Sequence, residues 1–160
     1  MKVIYSCYWG SYLAVVAASL HLELIDVNKY NKNDILSLRL FNKISDMELG
    51  ELFFIGIDDK KSEIYVMGSK NSGKILEKAL KGVAEIYGFG KDSVMLIDLN
   101  PYYNILLLLG ILLIKRLGLI KTGMKLVLKG IAKNYDKIIK KVQCVKAEPI
   151  YEGNKQEVNR

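Results

Sequence analysis

A chain of 160 residues carrying 51% hydrophobic and 26% charged side chains is long enough to bury one core, and too apolar for a disordered polymer. Its two cysteines, Cys7 and Cys144, stand far apart in a chain with one histidine, His21, which excludes a disulfide framework and a Cys/His zinc site. The net charge of +7 is lopsided: residues 101–160 hold 12 Lys/Arg against 4 Asp/Glu, so the basic surface belongs to the C-terminal part.

The opening "MKVIYSCYWG" has one lysine and then a strand-like run, with no signal-peptide core, so a cytoplasmic protein is expected. "KVIYSCY" reads as a buried first strand. Trp9-Gly10-Ser11 breaks it, and "SYLAVVAASLHLELI" reads as a helix with Ser11 as N-cap. A strand, a short glycine turn and a helix open an α/β fold. "NDILSLRLF" reads as a short helix capped by Asn33 or Asp34. "ELFFIGI" and "SEIYVMG", separated by Asp58-Asp59-Lys60-Lys61, read as a β-hairpin.

"SGKILEKALKGVAEIYGFG" follows as a helix with its apolar seam on Ile75, Leu76, Ala79, Leu80, Val83 and Ile86, ended by Gly88 to Gly90. "SVMLIDL" is a continuous apolar run of the kind that fills central parallel strands. Asn100-Pro101 closes it and starts a helix over 102–117, whose core "ILLLLGILLI" is half the length of a bilayer span. That run predicts a buried helix, or else a segment lying in a membrane interface.

From Lys121 onward, Lys121, Lys125, Lys129, Lys133, Lys137 and Lys141 recur every fourth residue, with Met124, Val127, Leu128, Ile131, Tyr135, Ile138 and Val142 between them. This is a basic amphipathic helical segment, expected to kink or break near Gly130. "QCVKAEPI" reads as a returning edge strand and residues 151–160 as a polar tail. The whole predicts one three-layer α/β domain over 1–150, with a mostly parallel sheet, one hairpin and a C-terminal helical region.

Three stretches carry possible chemistry. "GSKNSGKI", Gly68 to Ile75, has the G-x-x-x-x-G-K of a phosphate-binding loop between a strand and a helix, where backbone amides and Lys74 meet an anion. Asp98, ending "VMLID", stands where a metal-assisting acid would. Against a Mg²⁺-nucleotide site, Ile75 replaces the required hydroxyl, and the preceding strand reads as half of a hairpin. A glycine-assisted helix start, with or without an anion, is the reading that remains. In "CYWGSYLA", Cys7 holds the place of a tyrosine-phosphatase nucleophile, yet Leu13 stands where the phosphate-binding arginine should be. The bland alternative is a buried thiol and a capping serine. His21 lies about 15 Å along its helix from Ser11, and reads as a satisfied core histidine.

The candidate ligand-binding set is therefore Cys7, Tyr8, Gly10, Ser11, Lys74, Asp98 and Asn100, with a small phosphate-bearing or other anionic ligand and no metal. No cofactor and no reaction is assigned. The lysine ladder is a solvated face, or the dock for an anionic membrane or an acidic partner. It lacks the aromatic and arginine interleaving of a base-stacking surface, so specific nucleic-acid recognition is not expected.

"IYSCYWGSYLAVVAASLHL", "FFIGIDDKKSEIYVMG", the Ala-Leu-Lys-Gly of "EKALKGVAEIYG" and "IDLNPYYN…RLGL" together resemble, in order, the blocks of a Firmicutes family catalogued as domain of unknown function 3189. That family reads near I-Y-H-C-Y-G-G-T-H-S-S at its start, followed by an Ala-rich helix ending in His-Leu. Tyr5, Cys7, Tyr8, Gly10 and His21 match. Ser6 stands for His, Trp9 for Gly, Ser11 for Thr, Tyr12 for His, and Leu13-Ala14 for Ser-Ser. The resemblance implies a divergent member of a family of cytosolic proteins from spore-forming bacteria, with no activity to carry over. It also implies that any activity resting on that polar loop is lost or changed here.

Overall fold

Four strands, β1 (Lys2–Cys7), β2 (Phe53–Ile57), β3 (Glu63–Gly68) and β4 (Val94–Asp98), form one sheet in the order β2–β3–β1–β4 in the computed structural model, which describes residues 1–148. β1 pairs in parallel with both β3 and β4, and β2 closes the far side as the antiparallel partner of β3. The expected mixed α/β architecture, parallel but for one hairpin, is thus present. β1 is the buried centre because both of its faces are covered. Val3, Tyr5 and Cys7 point into the larger core, while Ile4 joins Met67 and Leu96 beneath a helix on the other face. The equally apolar β4 is an edge strand, where its composition predicted a central one.

The helices are α1 (Leu13–His21), α2 (Lys32–Ser37), α3 (Gly73–Ile86), α4 (Ile105–Leu117) and α5 (Ile120–Ala147). All nine residues of α1 are buried between the sheet and α5, a fit that small Ala17, Ala18 and Ser19 permit. The helix is shorter than the sequence predicted, because Glu23 adopts a left-handed φ of +56° that turns the chain away. Ser11 does not cap it. Its hydroxyl donates to Ile44 O and accepts from Ile44 N, pinning the long connection that follows α2. α2 is capped by Asn31, which accepts from Asn33 N, and not by Asn33 or Asp34 themselves.

α3 lies on the opposite face of the sheet with Leu76 and Leu80 against Ile4, Met67 and Leu96. The inward row is Gly73, Leu76, Leu80 and Ala84, with Leu76 and Leu80 half-buried, so Ile75, Ala79, Val83 and Ile86 from the expected seam face solvent. α3 covers only a narrow strip of sheet, and one i,i+4 row fills it.

α4 begins at Ile105 and not at 102: a single 3₁₀ turn, Asn100–Tyr102, intervenes. Asn104 caps the helix by accepting from Leu107 N, and its amide donates to Gly130 O at 2.8 Å. The expected break near Gly130 is absent, and α5 runs unbroken for 28 residues. Its glycines serve close packing instead. A Cβ on Gly110 would fall 2.7 Å from Gly123 O and Val127 N, and one on Gly130 would fall 2.7 Å from Leu107 N. Residues 143–147, expected in an edge strand, form the last turns of α5. The helix stops before Pro149, which disfavours helical backbone at Glu148. Pro149, Ile150 and the expected tail over 151–160 lie outside the described residues.

His21 sits in the core with both ring nitrogens occupied, Nδ1 by the Tyr5 hydroxyl at 2.8 Å and Nε2 by Asp58 Oδ2 at 3.1 Å. Burial lowers the pKa of His21 below its ordinary 6.5, and the opposing pull of Asp58 does not offset it. The unfolded chain therefore takes up a proton that the native state resists, and stability falls as pH drops below about 6.5. Burial raises the Asp58 carboxyl, but hydrogen bonds from Ser62 N and His21 more than offset this. Its net shift is downward, so its contribution is lost only below the ordinary carboxylate value of 3.8. The melting temperature should stay level above pH 7 and decline toward pH 5. A His21→Gln variant should lose that decline, and a slope unchanged in the variant would exclude His21 as its source.

Candidate functional site

Because β1, β3 and β4 are parallel, the loops that follow them emerge on one edge of the sheet. α1 then leaves toward one face and α3 toward the other, which makes the end of β1 the point where the chain direction splits. Tyr8–Tyr12, Ser69–Ser72 and Leu99–Asn104 thus meet. The sequence left open whether the loop before Lys74 lies on the edge with the Tyr8–Ser11 turn; it does. β3 is both half of a hairpin and a parallel neighbour of β1, so the hairpin is no objection to a ligand loop there.

The loops are stitched by backbone. Ser69 N donates to Cys7 O, Lys70 N to Tyr8 O, and Leu99 N to Ser6 O. The Ser6 and Ser69 hydroxyls share a 2.7 Å hydrogen bond, and Asn100 Nδ2 donates to Lys70 O at 2.7 Å. Gly10 has a φ of +73°, and a Cβ there would lie 2.6 Å from Gly68 N, so two backbones touch where a side chain cannot fit.

This stitching takes up part of what a phosphate cradle needs. Of the amides in "GSKNSGKI", those of Ser69, Lys70 and Ser72 already donate to Cys7 O, Tyr8 O and Ser69 O. The Asp98 carboxylate lies 3.3 Å from where a Gly73 Cβ would be, so an internal anion sits at the start of α3. Asp98 also accepts from Asn100 N at 2.9 Å. Lys74 is exposed on the first turn of α3. Cys7, Gly10 and Ser11 are buried, Tyr8 is half-buried, and Asp98 and Asn100 are half-buried on the β4 side of the loop cluster.

On the β4 side Asp98 lines a cleft of about 420 Å³, and a larger open space lies on the other side of that cluster. A cleft of about 540 Å³ is floored by Tyr8 and Trp9, walled by Leu108, Leu109 and Leu112 of α4, and rimmed by Lys70, Lys115, Arg116 and Asp46. Of the candidates named from sequence, Tyr8 alone lines it. The tilted Tyr8 and Trp9 rings sit 4.3 Å apart, and Trp9 packs in turn on Tyr103 with 6.0 Å between ring centroids. Lys115 is ion-paired with Asp46, while Lys70 and Arg116 make no ion pair among the described residues. Lys70 holds a left-handed φ of +48°, which turns the loop over the end of β1.

Beneath Trp9, the Tyr103 hydroxyl is buried with no hydrogen-bond partner among the described residues, and burial together with nearby Cys7 pushes its pKa well up. It stays a neutral phenol. Trp9, Lys70, Lys115 and Arg116 escaped the sequence reading. Lys70 lies within the same Gly68–Ile75 stretch, but the G-x-x-x-x-G-K spacing singles out Lys74. Lys115 and Arg116 follow the apolar run by sequence, yet only the fold turns them back over Tyr8. Among the described residues no three His, Cys, Asp or Glu side chains are grouped to hold a metal ion.

The lysine ladder occupies the outer side of α5, with Lys121 to Lys137 exposed and Lys141 half-buried beside β4. At 3.6 residues per turn the six positions sweep about 200° around the helix, so no single plane meets all of them.

The model of a family described as a protein of unknown function, DUF3189, matches residues 2–147, nearly the whole chain, and the chain belongs to that family. No curated protein and no solved structure matches it significantly.

Proposed function

We propose that this DUF3189 chain binds a small amphiphilic anion, a phosphate-bearing or carboxylate ligand with an apolar or aromatic part, in the cleft between Tyr8–Trp9, Lys70 and α4. One observation carries the reading: three cations rim an apolar-walled cleft at the split of the parallel sheet, and only one of them is neutralised. The aromatic floor offers stacking, the leucine wall takes a hydrocarbon portion, and Lys70 with Arg116 provides charge-assisted hydrogen bonds to the anion. Cys7, Gly10, Ser11 and Asn100 act as positioning residues that hold the loops together. Asp98 occupies the start of α3, which favours the Lys70 side of the cluster over the Lys74 side.

A thermal-shift screen of phosphorylated metabolites, nucleotides and acyl phosphates tests this. A ligand at a hundred times its Kd should stabilise the wild type by about 2.7 kcal/mol. Lys70→Ala and Arg116→Ala should each weaken that ligand by more than about tenfold. Lys74→Ala should leave it unchanged; loss of binding in that variant alone would move the site to the start of α3. A screen in which no anion raises the melting temperature would sink the reading.

A further inference from the structure

α4 packs against α5 through Leu107, Gly110 and Ile111, and leaves its opposite side open. Ile105, Leu108, Leu109 and Leu112 form one i, i+3, i+4, i+7 stripe at 75%, 45%, 47% and 50% exposure. Arg116 continues the same line. At the turn into α5, Leu117, Leu119 and Ile120 are 62%, 50% and 59% exposed, directly before Lys121 and Lys125. Isolated exposed leucines are ordinary, but seven large apolar side chains along one helix and its turn are not.

We infer that this α4–α5 corner lies on an anionic membrane surface, with the apolar stripe in the interfacial region and Arg116, Lys121 and Lys125 at the headgroups. Charge selects this occupant. A second copy on this face would crowd two sets of Arg116, Lys121 and Lys125 into one interface, whereas anionic headgroups relieve them. Beyond the cleft, the apolar turn Leu117–Ile120 stands beside Lys121 and Lys125, and a fluid hydrocarbon phase under anionic headgroups takes such a corner without a shaped counterpart. No helix among the described residues is long and apolar enough to cross a membrane, so α4 lies along the surface. The corner replaces the lysine ladder as the docking face, since the ladder winds about 200° around α5 and presents only its first members with the stripe.

The stripe shares Leu108, Leu109, Leu112 and Arg116 with the cleft, so the test is placed on Leu117, Ile120, Lys121 and Lys125, which do not line it and whose loss leaves ligand binding untouched. The test is co-flotation of the full chain with phosphatidylcholine vesicles, with and without phosphatidylserine. Binding is expected to the anionic vesicles only, and to fall with added salt. Lys121→Gln should weaken partition about fivefold, and Leu117→Ser with Ile120→Ser at least about tenfold. If the serine pair impairs folding, Lys121→Gln with Lys125→Gln decides the matter alone. Absence of co-flotation, equal binding to neutral vesicles, or indifference to these variants overturns the inference. So does a concentration-dependent dimer that the serine pair abolishes, which would give the face to a second copy.

Discussion

Gly10→Ala should destabilise the protein by about 3 kcal/mol, the sum of a left-handed residue with a Cβ and an overpacked contact. The substitution places a methyl 2.6 Å from Gly68 N and 3.0 Å from Gly68 Cα, backbone atoms that are themselves held by β3 pairing to β1. The turn after β1 must then lift off the turn after β3, which strains the bonds from Ser69 N to Cys7 O and from Lys70 N to Tyr8 O. Gly118→Ala isolates the conformational part. It has a similar φ of +66° but nothing among the described residues within 4 Å of a new Cβ, so it should cost only about 1–2 kcal/mol. Urea unfolding of the two variants measures the difference, and equal losses would show that the Gly10–Gly68 approach contributes nothing. Because Tyr8 and Lys70 border the cleft, Gly10→Ala should also weaken any anion that the cleft binds.

Gly110→Ala should cost about as much, roughly 3 kcal/mol, by prising α4 from α5. Its Cβ would meet Gly123 O and Val127 N at 2.7 Å, and neither is a flexible side chain that can swing aside. Separating the helices unpacks Leu107 and Ile111, both wholly buried, and loosens the Asn104 bond to Gly130 O. Gly82→Ala on α3 is the control. Nothing among the described residues lies within 4 Å of its added methyl, and removing a mid-helix glycine should stabilise by about 0.5–1 kcal/mol. Opposite signs for two Gly→Ala changes within helices would separate packing from propensity in one experiment. A neutral Gly110→Ala would mean that the helices pack less closely than this geometry requires.

Both variants concern glycines whose roles differ from what their neighbours in sequence suggest. Gly130 interrupts a helical pattern and reads locally as a weak point, yet α5 passes through it unbroken because the glycine faces α4. Helix propensity costs about 1 kcal/mol there, and close packing along two helices outweighs it. The apolar run 105–114 likewise reads on composition as a buried helix or a segment lying in a membrane interface. In the fold, among the described residues, only one of its faces packs against another helix, and the other becomes both the cleft wall and an open stripe.

The order of short blocks along the chain carried the family resemblance, and local pattern alone determined a buried first strand in "KVIYSCY", a hairpin from "ELFFIGI" to "SEIYVMG", a helix after Ser72 and a parallel strand in "SVMLIDL". These rest on alternation, helical spacing and turn residues, which act over a few residues. Only tertiary structure decided the rest. It set the strand order that leaves β4 at an edge. It also aligned β3 with β1, so that Lys70 and not Lys74 turns toward Tyr8, and folded Lys115 and Arg116 back over Trp9. Each depends on contacts between residues tens of positions apart. Such contacts follow from how layers cover one another, and no window of neighbouring residues encodes them.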